Sequence, residues 1–260
     1  MLQGLIIGDV VGKPGLDFLI SKLDDLKTFY KIDFIIVNGE NAAGGKGITS
    51  AMADQLKTAG VNIITSGNHI WQAKSKDVLS RQFGYVLRPE NYPSTNEGKG
   101  HAIFTVKNTK IAVINAIGRT FMPDAVENPF YCLDELITKI KDETDVIIVD
   151  FHAETTAEKI AFGRYLDGKI SCFVGTHTHV QTADETVLPK GTAYITDLGM
   201  TGPIHSVIGM KPELAIKRFR QAVPTNYELA TGPQQINGVV VSINESNGKA
   251  ESIQRVQITE

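Results

Sequence analysis

Phe173-Val174-Gly175-Thr176-His177-Thr178-His179-Val180 carries the strongest fold signal in the chain. It continues the short apolar run Ile170-Ser171-Cys172-Phe173-Val174, which has the length and composition of a buried strand. A glycine ends the run, and two histidines follow one residue apart. Four earlier apolar runs end the same way. Ile6-Ile7-Gly8 leads into Asp9, and Ile35-Ile36-Val37-Asn38-Gly39 leads into Glu40 and Asn41. Ile63-Ile64-Thr65-Ser66-Gly67 leads into Asn68 and His69, and Ile147-Ile148-Val149-Asp150-Phe151 leads into His152. Sites in open α/β sheets form outside the carboxyl ends of the strands. Five strand ends bearing Asp, Glu, Asn or His therefore point to one metal centre.

The segments between these strands carry helical spacing. Leu16, Leu19, Leu23 and Leu26 share one face of a helix over 16–29, and Thr49 or Ser50 caps a second over 49–58. The same reading predicts helices over 72–81, 134–141, 156–166 and near 212–222. Lys107-Asn108-Thr109 joins strands 102–106 and 110–115 as a hairpin, and Ser246-Asn247-Gly248-Lys249 joins 237–243 to 252–258. Strand–helix alternation implies parallel sheets covered by helices. With 260 residues and no linker or repeat, residues 1–260 read as one α/β domain with two sheets. A small cap would come from 115–130 or from the loop after Thr201.

Composition excludes several classes. The chain is 42% hydrophobic and 21% charged, as soluble globular proteins are. A net charge of −3 and a pI near 6.1 argue against stable nucleic-acid binding, which needs a basic surface. No run is long enough to span a membrane. Cys132 and Cys172 have no paired spacing, and Cys172 lies in an apolar run. Free thiols of this kind suit the cytoplasm.

The donor set is informative. Imidazoles with an aspartate, a glutamate and asparagines suit first-row transition metals better than calcium or magnesium alone. In extended backbone, residues i and i+2 point to one side, so His177 and His179 would serve one metal or two adjacent ones. Each residue also has a blander role. Asp9 could cap the following helix, although Val10-Val11-Gly12-Lys13 separates it from Pro14. Asn68-His69 alone could be a solvated turn. His101 and His205, in loop contexts, are left outside the site.

Taken in order, these blocks resemble the calcineurin-like metallophosphoesterases, whose ligands run Asp-x-His, Gly-Asp-x-x-Asp, Gly-Asn-His-Asp/Glu, a lone His and Gly-His-x-His. Here Val11 replaces the first histidine, Glu40 with Asn41 replaces the bridging aspartate, and Ile70 follows Asn68-His69. Those departures match the YmdB-type branch of bacterial phosphodiesterases. Gly8-Asp9-Val10-Val11-Gly12, Asn38-Gly39-Glu40-Asn41-Ala42-Ala43 and Gly67-Asn68-His69 carry the match. So do Asp150-Phe151-His152-Ala153-Glu154, the run from Gly175 to Asp184, and Asp197-Leu198-Gly199-Met200-Thr201-Gly202-Pro203.

The resemblance implies a four-layer α/β/β/α sandwich. It also implies hydrolysis of small cyclic nucleotides, 2′,3′-cyclic and with them 3′,5′-cyclic, through a metal-bridging hydroxide. Two metal ions would serve, iron first, with manganese, zinc or magnesium as alternatives. One would take Asp9, Glu40, Asn41 and His179, and the other Glu40, Asn68, His152 and His177. His69 would act as general acid on the leaving oxygen. Asp150 and Glu154 would orient an imidazole, and Arg88 and Arg119 could meet a phosphate. The expected partner is a small phosphodiester, with self-association left open. Two other readings stand beside this one. A phosphomonoesterase should supply an extra cation near the metals, and no Lys or Arg lies within two residues of any proposed ligand. A regulatory metal- and nucleotide-binding protein with vestigial activity is the other.

Overall fold

The computed structural model describes residues 1–260. The elements run β1 (Leu2–Ile7), β2 (Asp9–Val10), α1 (Gly12–Tyr30), β3 (Phe34–Asn38), α2 (Ser50–Thr58), β4 (Ile63–Thr65), β5 (His101–Val106) and β6 (Thr109–Ile117). There follow α3 (Pro129–Ile140), β7 (Ile147–His152), α4 (Thr156–Leu166), β8 (Cys172–Thr176), β9 (Thr186–Val187), β10 (Ala193–Ile195), β11 (Met200–Pro203), α5 (Pro212–Gln221), β12 (Gln234–Ile243) and β13 (Ala250–Thr259).

Two sheets form. The first has the order β2-β11-β12-β1-β3-β4, with β13 also paired to β12, and the second β5-β6-β7-β8-β10-β9. β1, β3 and β4 run parallel, as do β6, β7, β8 and β10. Three apolar layers follow from strand alternation. Leu16, Leu19 and Leu23 of α1 pack on Leu5, Ile7 and Val37 of the first sheet. The opposite faces meet, with Ile6, Phe34 and Ile36 against Val113, Ile148 and Val174. Phe151 and Phe173 then pack outward on Leu133 of α3 and Phe162 of α4. The result is the expected α/β/β/α sandwich. Each fully buried Leu, Ile or Phe contributes about 1.5–3 kcal/mol.

Most local expectations hold. Thr49 caps α2 by accepting from the Met52 amide, and the leucines named above line the buried face of α1. Lys107 and Asn108, both at positive φ, make the two-residue turn between β5 and β6. The predicted helix over 72–81 is instead a set of short 3-10 turns, Asn68–Trp71, Ala73–Leu79 and Arg81–Phe83. Tertiary anchors override helical spacing there: the Ser75 hydroxyl accepts from the Ile48 amide, and Val78 and Leu79 sink into the first core. Asp9 caps no helix, because α1 starts at Gly12 with Val11 at its N-cap and no side-chain cap. Among the described residues no helix is long and apolar enough to cross a membrane.

Beneath the strand ends the sheets are tied by polar contacts. Asp150 at the end of β7 accepts from Asn38 of β3 at 3.0 Å, Thr176 of β8 at 2.8 Å and Thr65 of β4. One buried carboxylate thus gathers the carboxyl ends of four parallel strands. Burial pushes Asp150 up to about 6, against the hydrogen bonds from Thr65 and Thr176. Asn115 of β6 adds a second tie, accepting from the Ser66 amide at 3.0 Å.

Candidate metal centre

All seven proposed ligands lie at this tied edge. Glu40, His152 and His177 each offer a donor atom, and the three atoms lie within 4.8 Å of one another. Glu40 Oε1 is 3.2 Å from His152 Nε2 and 3.1 Å from His69 Nδ1. Asp9 Oδ1 lies 3.9 Å from His179 Nε2 and 3.9 Å from His152 Nδ1. Asp9, Glu40, Asn41, His152 and His179 are buried, while His177 is part-buried.

The donors are aimed and left without partners. Asp9 Oδ1, Glu40 Oε2, Asn41 Oδ1, Asn68 Oδ1 and His152 Nε2 are buried atoms with no hydrogen-bond partner. An orphaned buried polar atom costs about 1–3 kcal/mol, so native proteins rarely tolerate one. Five such atoms on five proposed ligands fit a site built to hold cations.

Tautomers are set by the surroundings. The Ile208 carbonyl can only accept, so the 2.9 Å contact from His179 Nδ1 is a donated proton. That leaves the His179 Nε2 lone pair facing Asp9. Thr176 donates to Asp150, so it accepts from His152 Nδ1 at 3.1 Å and turns Nε2 towards Glu40. Asp150 therefore reaches the imidazole through Thr176. Glu154 also meets an imidazole, that of His177 rather than of His152, its close neighbour in sequence. It lies 3.0 Å from His177 Nε2, because the turn after β8 brings that histidine over it.

Charge at the site is strongly coupled. Burial alone would raise the Glu40 carboxyl, yet His152 and His69 hold it well below the usual carboxylate range. Burial pushes the Asp9 carboxyl up. Burial should lower His152, but Glu40 and Asp9 push it up to about 9. Burial, then the charge of His152, lowers His177 to about 3.

The His177–His179 pair departs from the strand geometry expected of it. β8 ends at Thr176, and His177 and His179 both have positive φ, 97° and 64°. Their common aim comes from a tight turn held at its centre. Asp197 Oδ2 accepts from the Thr178 amide at 3.1 Å, the Thr178 hydroxyl at 2.6 Å and Lys159 Nζ at 2.7 Å. Lys159 and Asp197 are fully buried. Asp197 stood out in the sequence only as the start of a matching block, and Lys159 not at all, since a lysine inside an amphipathic helix reads as surface.

Val11, standing where the wider superfamily has histidine, is also explained. It is buried, and a Cβ on Gly209 would meet Val11 Cγ1 at 2.7 Å. The valine seats the loop after β11, which crosses beside the site. Of the two segments proposed as a cap, this one, together with α5, walls the centre. The other forms a small cluster in which Met122 and Val126 pack with Tyr92. Arg88 is not free for a substrate: it is buried and donates to the carbonyls of Glu97, Pro89 and Glu90. Arg119 contributes its backbone amide to Glu158. His101 faces Glu90 at 3.1 Å, outside the cluster as read.

A cavity of about 330 Å³ opens over the centre. Asn41, His69, His177 and His179 form its polar side, with Lys46 beside them. Lys46 is a cation that sequence distance from the ligands concealed. The Asn41-to-Gly47 loop curls back, with positive φ at Gly44, Gly45 and Gly47.

Four layers, with candidate metal ligands at the carboxyl ends of the inner parallel strands, define a calcineurin-like metallophosphoesterase fold. Within that fold, a family model described as YmdB-like protein matches residues 5–256, and the chain belongs to that family. It is 46% identical to the 2′,3′-cyclic-nucleotide 2′-phosphodiesterase of Bacillus subtilis (strain 168), over 98% of this chain and 97% of that one. Among solved structures, a Mycoplasma pneumoniae protein described as a novel phosphatase superposes with a TM-score of 0.92 at 39% identity, covering 100% of this chain and 94% of that one. A protein of Thermus thermophilus, described as hypothetical, superposes with a TM-score of 0.91 at 39% identity, covering 100% of both chains.

Proposed function

We propose that this chain is a metal-dependent phosphodiesterase that hydrolyses small cyclic nucleotides, 2′,3′-cyclic and with them 3′,5′-cyclic. The observation that carries this reading is the set of five orphaned buried donor atoms converging beneath an open cavity. The Bacillus subtilis relative supports the substrate class. Residues 1–260 act as a single domain.

Asp9, Glu40, Asn41 and His179 would hold one metal ion, and Glu40, Asn68, His152 and His177 the other, with iron first among candidates. Ions held by these residues would supply polarisation of a phosphoryl group and a lowered pKa for nearby water. The chain's own residues do the rest. Glu40, whose negative charge His152 and His69 stabilise, would serve both positions. Asp150 through Thr176, and the Ile208 carbonyl, fix the tautomers of His152 and His179. His69 Nδ1 lies 3.1 Å from the Glu40 carboxylate, to which it donates, and its ring lines the cavity. It protonates the departing ester oxygen as general acid.

The presence of Lys46 in the cavity supports a second reading, a phosphomonoesterase, since a monoester carries one more charge for a cation to meet. The deciding experiment compares bis-p-nitrophenyl phosphate with p-nitrophenyl phosphate, with iron, manganese or no metal. Metal-dependent diester cleavage supports the proposal, and preference for the monoester replaces it with the second reading.

A further inference from the structure

The side of the cavity facing the metal centre is apolar, and the chemistry of phosphoryl transfer uses none of it. Val207, Ile208, Met210, Phe219 and Tyr227 line it. Phe219 is 79% exposed and Tyr227 43%, yet both border the same 330 Å³ as His69, His177 and His179. Leaving aromatic rings in water is unfavourable, and exposed apolar surface at the rim of a polar site marks a ligand contact.

The wall is built, not draped. The Ala230 amide donates to the Gly209 carbonyl at 3.0 Å, and the Lys211 amide to the Glu228 carbonyl at 2.9 Å. Met210 bridges Leu229, which places Tyr227 beside the turn. The Arg218 guanidinium lies 5.8 Å from the Tyr227 ring centroid. Ile208 at the apex accepts from His179, so wall and metal ligand are joined directly.

The geometry points to this wall as a nucleobase subsite. Phe219 and Tyr227, which border the cavity, would stack on the base, with the phosphate over the histidines. This assignment rests on the cyclic-nucleotide reading above. It adds a specificity claim: the Tyr227 hydroxyl is the one side-chain hydrogen-bonding group among the residues of this wall. Stacking accepts any base, whereas discrimination requires polar groups placed against base edges. The enzyme should therefore accept purines and pyrimidines with similar efficiency, and it should distinguish nucleotides from base-free cyclic phosphates.

The test uses the full chain as wild type, Phe219→Ala and Tyr227→Ala. Turnover is measured on adenosine and cytidine 2′,3′-cyclic phosphates and on base-free glycerol 1,2-cyclic phosphate. Calorimetric binding is measured with adenosine 2′- and 3′-monophosphates and with ribose 3-phosphate. The expected result is a rise of about 5- to 100-fold in nucleotide KM and Kd for each variant, with kcat retained and the base-free probes unchanged within about twofold. Unchanged nucleotide KM and Kd in both variants overturn the subsite. So does equal weakening of the base-free probes, which marks a structural wall. Altered sedimentation with unaltered nucleotide binding overturns it in favour of a contact between copies. If wild type cleaves glycerol cyclic phosphate as readily as nucleotides, the subsite falls and the phosphodiesterase reading stands. If no diester is cleaved but the variants still lose nucleotide monophosphate binding, the subsite stands and the catalytic reading falls.

Discussion

His69 and its neighbour Asn68 divide two proposed tasks that sequence alone places side by side. Asn68 keeps a buried, unpartnered Oδ1, while His69 turns Nδ1 to Glu40 and lines the cavity. His69→Ala should lower kcat by about 100-fold or more, in the range of general acid–base catalysis, with metal content retained. Turnover and elemental analysis on the same sample check this, and metal loss would refute the role. Asp9→Ala or His179→Ala should lower bound metal by at least one ion per chain, read by elemental analysis, because each removes an aimed donor from a buried set. Gly67 matters for room. A Cβ there would strike Glu40 Oε2 and the His152 ring, so Gly67→Ala should lower metal affinity while far-ultraviolet circular dichroism stays native. These candidate residues were legible from strand ends. Their tautomers were not, because Thr176 and the Ile208 carbonyl reach them from distant parts of the chain.

Among the elements, the turn after β8 depends most on its supports. Positive φ at two histidines is costly, about 1–3 kcal/mol each, and persists only where neighbours enforce it. Lys159 of α4 and Asp197 after β10 supply that enforcement through Thr178. Removing one member of a buried ion pair costs about 3–5 kcal/mol. Lys159→Met should destabilise the protein by about that amount in urea titration and weaken metal binding as well. Destabilisation without weaker metal binding would separate the pair from the site. Helix α4 was predicted over its observed span, yet the burial of its lysine was invisible. Helical spacing tells which face is apolar, and only the neighbouring sheet shows that a charge sits on it with a partner. The 72–81 segment failed for the related reason that apolar spacing survives in 3-10 turns.

Over the molecule as a unit, stability and metal occupancy are linked. Ligands that bind only the folded state stabilise it, by about 2.7 kcal/mol at a hundredfold excess over Kd. Chelation should therefore lower Tm by about 5–10 °C in a chain of this size, and adding back iron or manganese should restore it, as scanning calorimetry would show. An unchanged Tm would mean the donors hold no tight ion. The two sheets, and the gathering of metal-ligand residue types at one edge, could be read from the residues in order, while the four-layer stacking and the set of seven ligands came from the family resemblance. Strand periodicity and strand-end residues are local signals, and parallel strands deliver their carboxyl ends to one edge. The geometry of the His177–His179 turn, the Asp150 tie, the seating of the wall on Val11 and the approach of Lys46 came only with the folded chain. Each of these joins residues far apart in sequence, and such contacts leave no periodic mark on either partner.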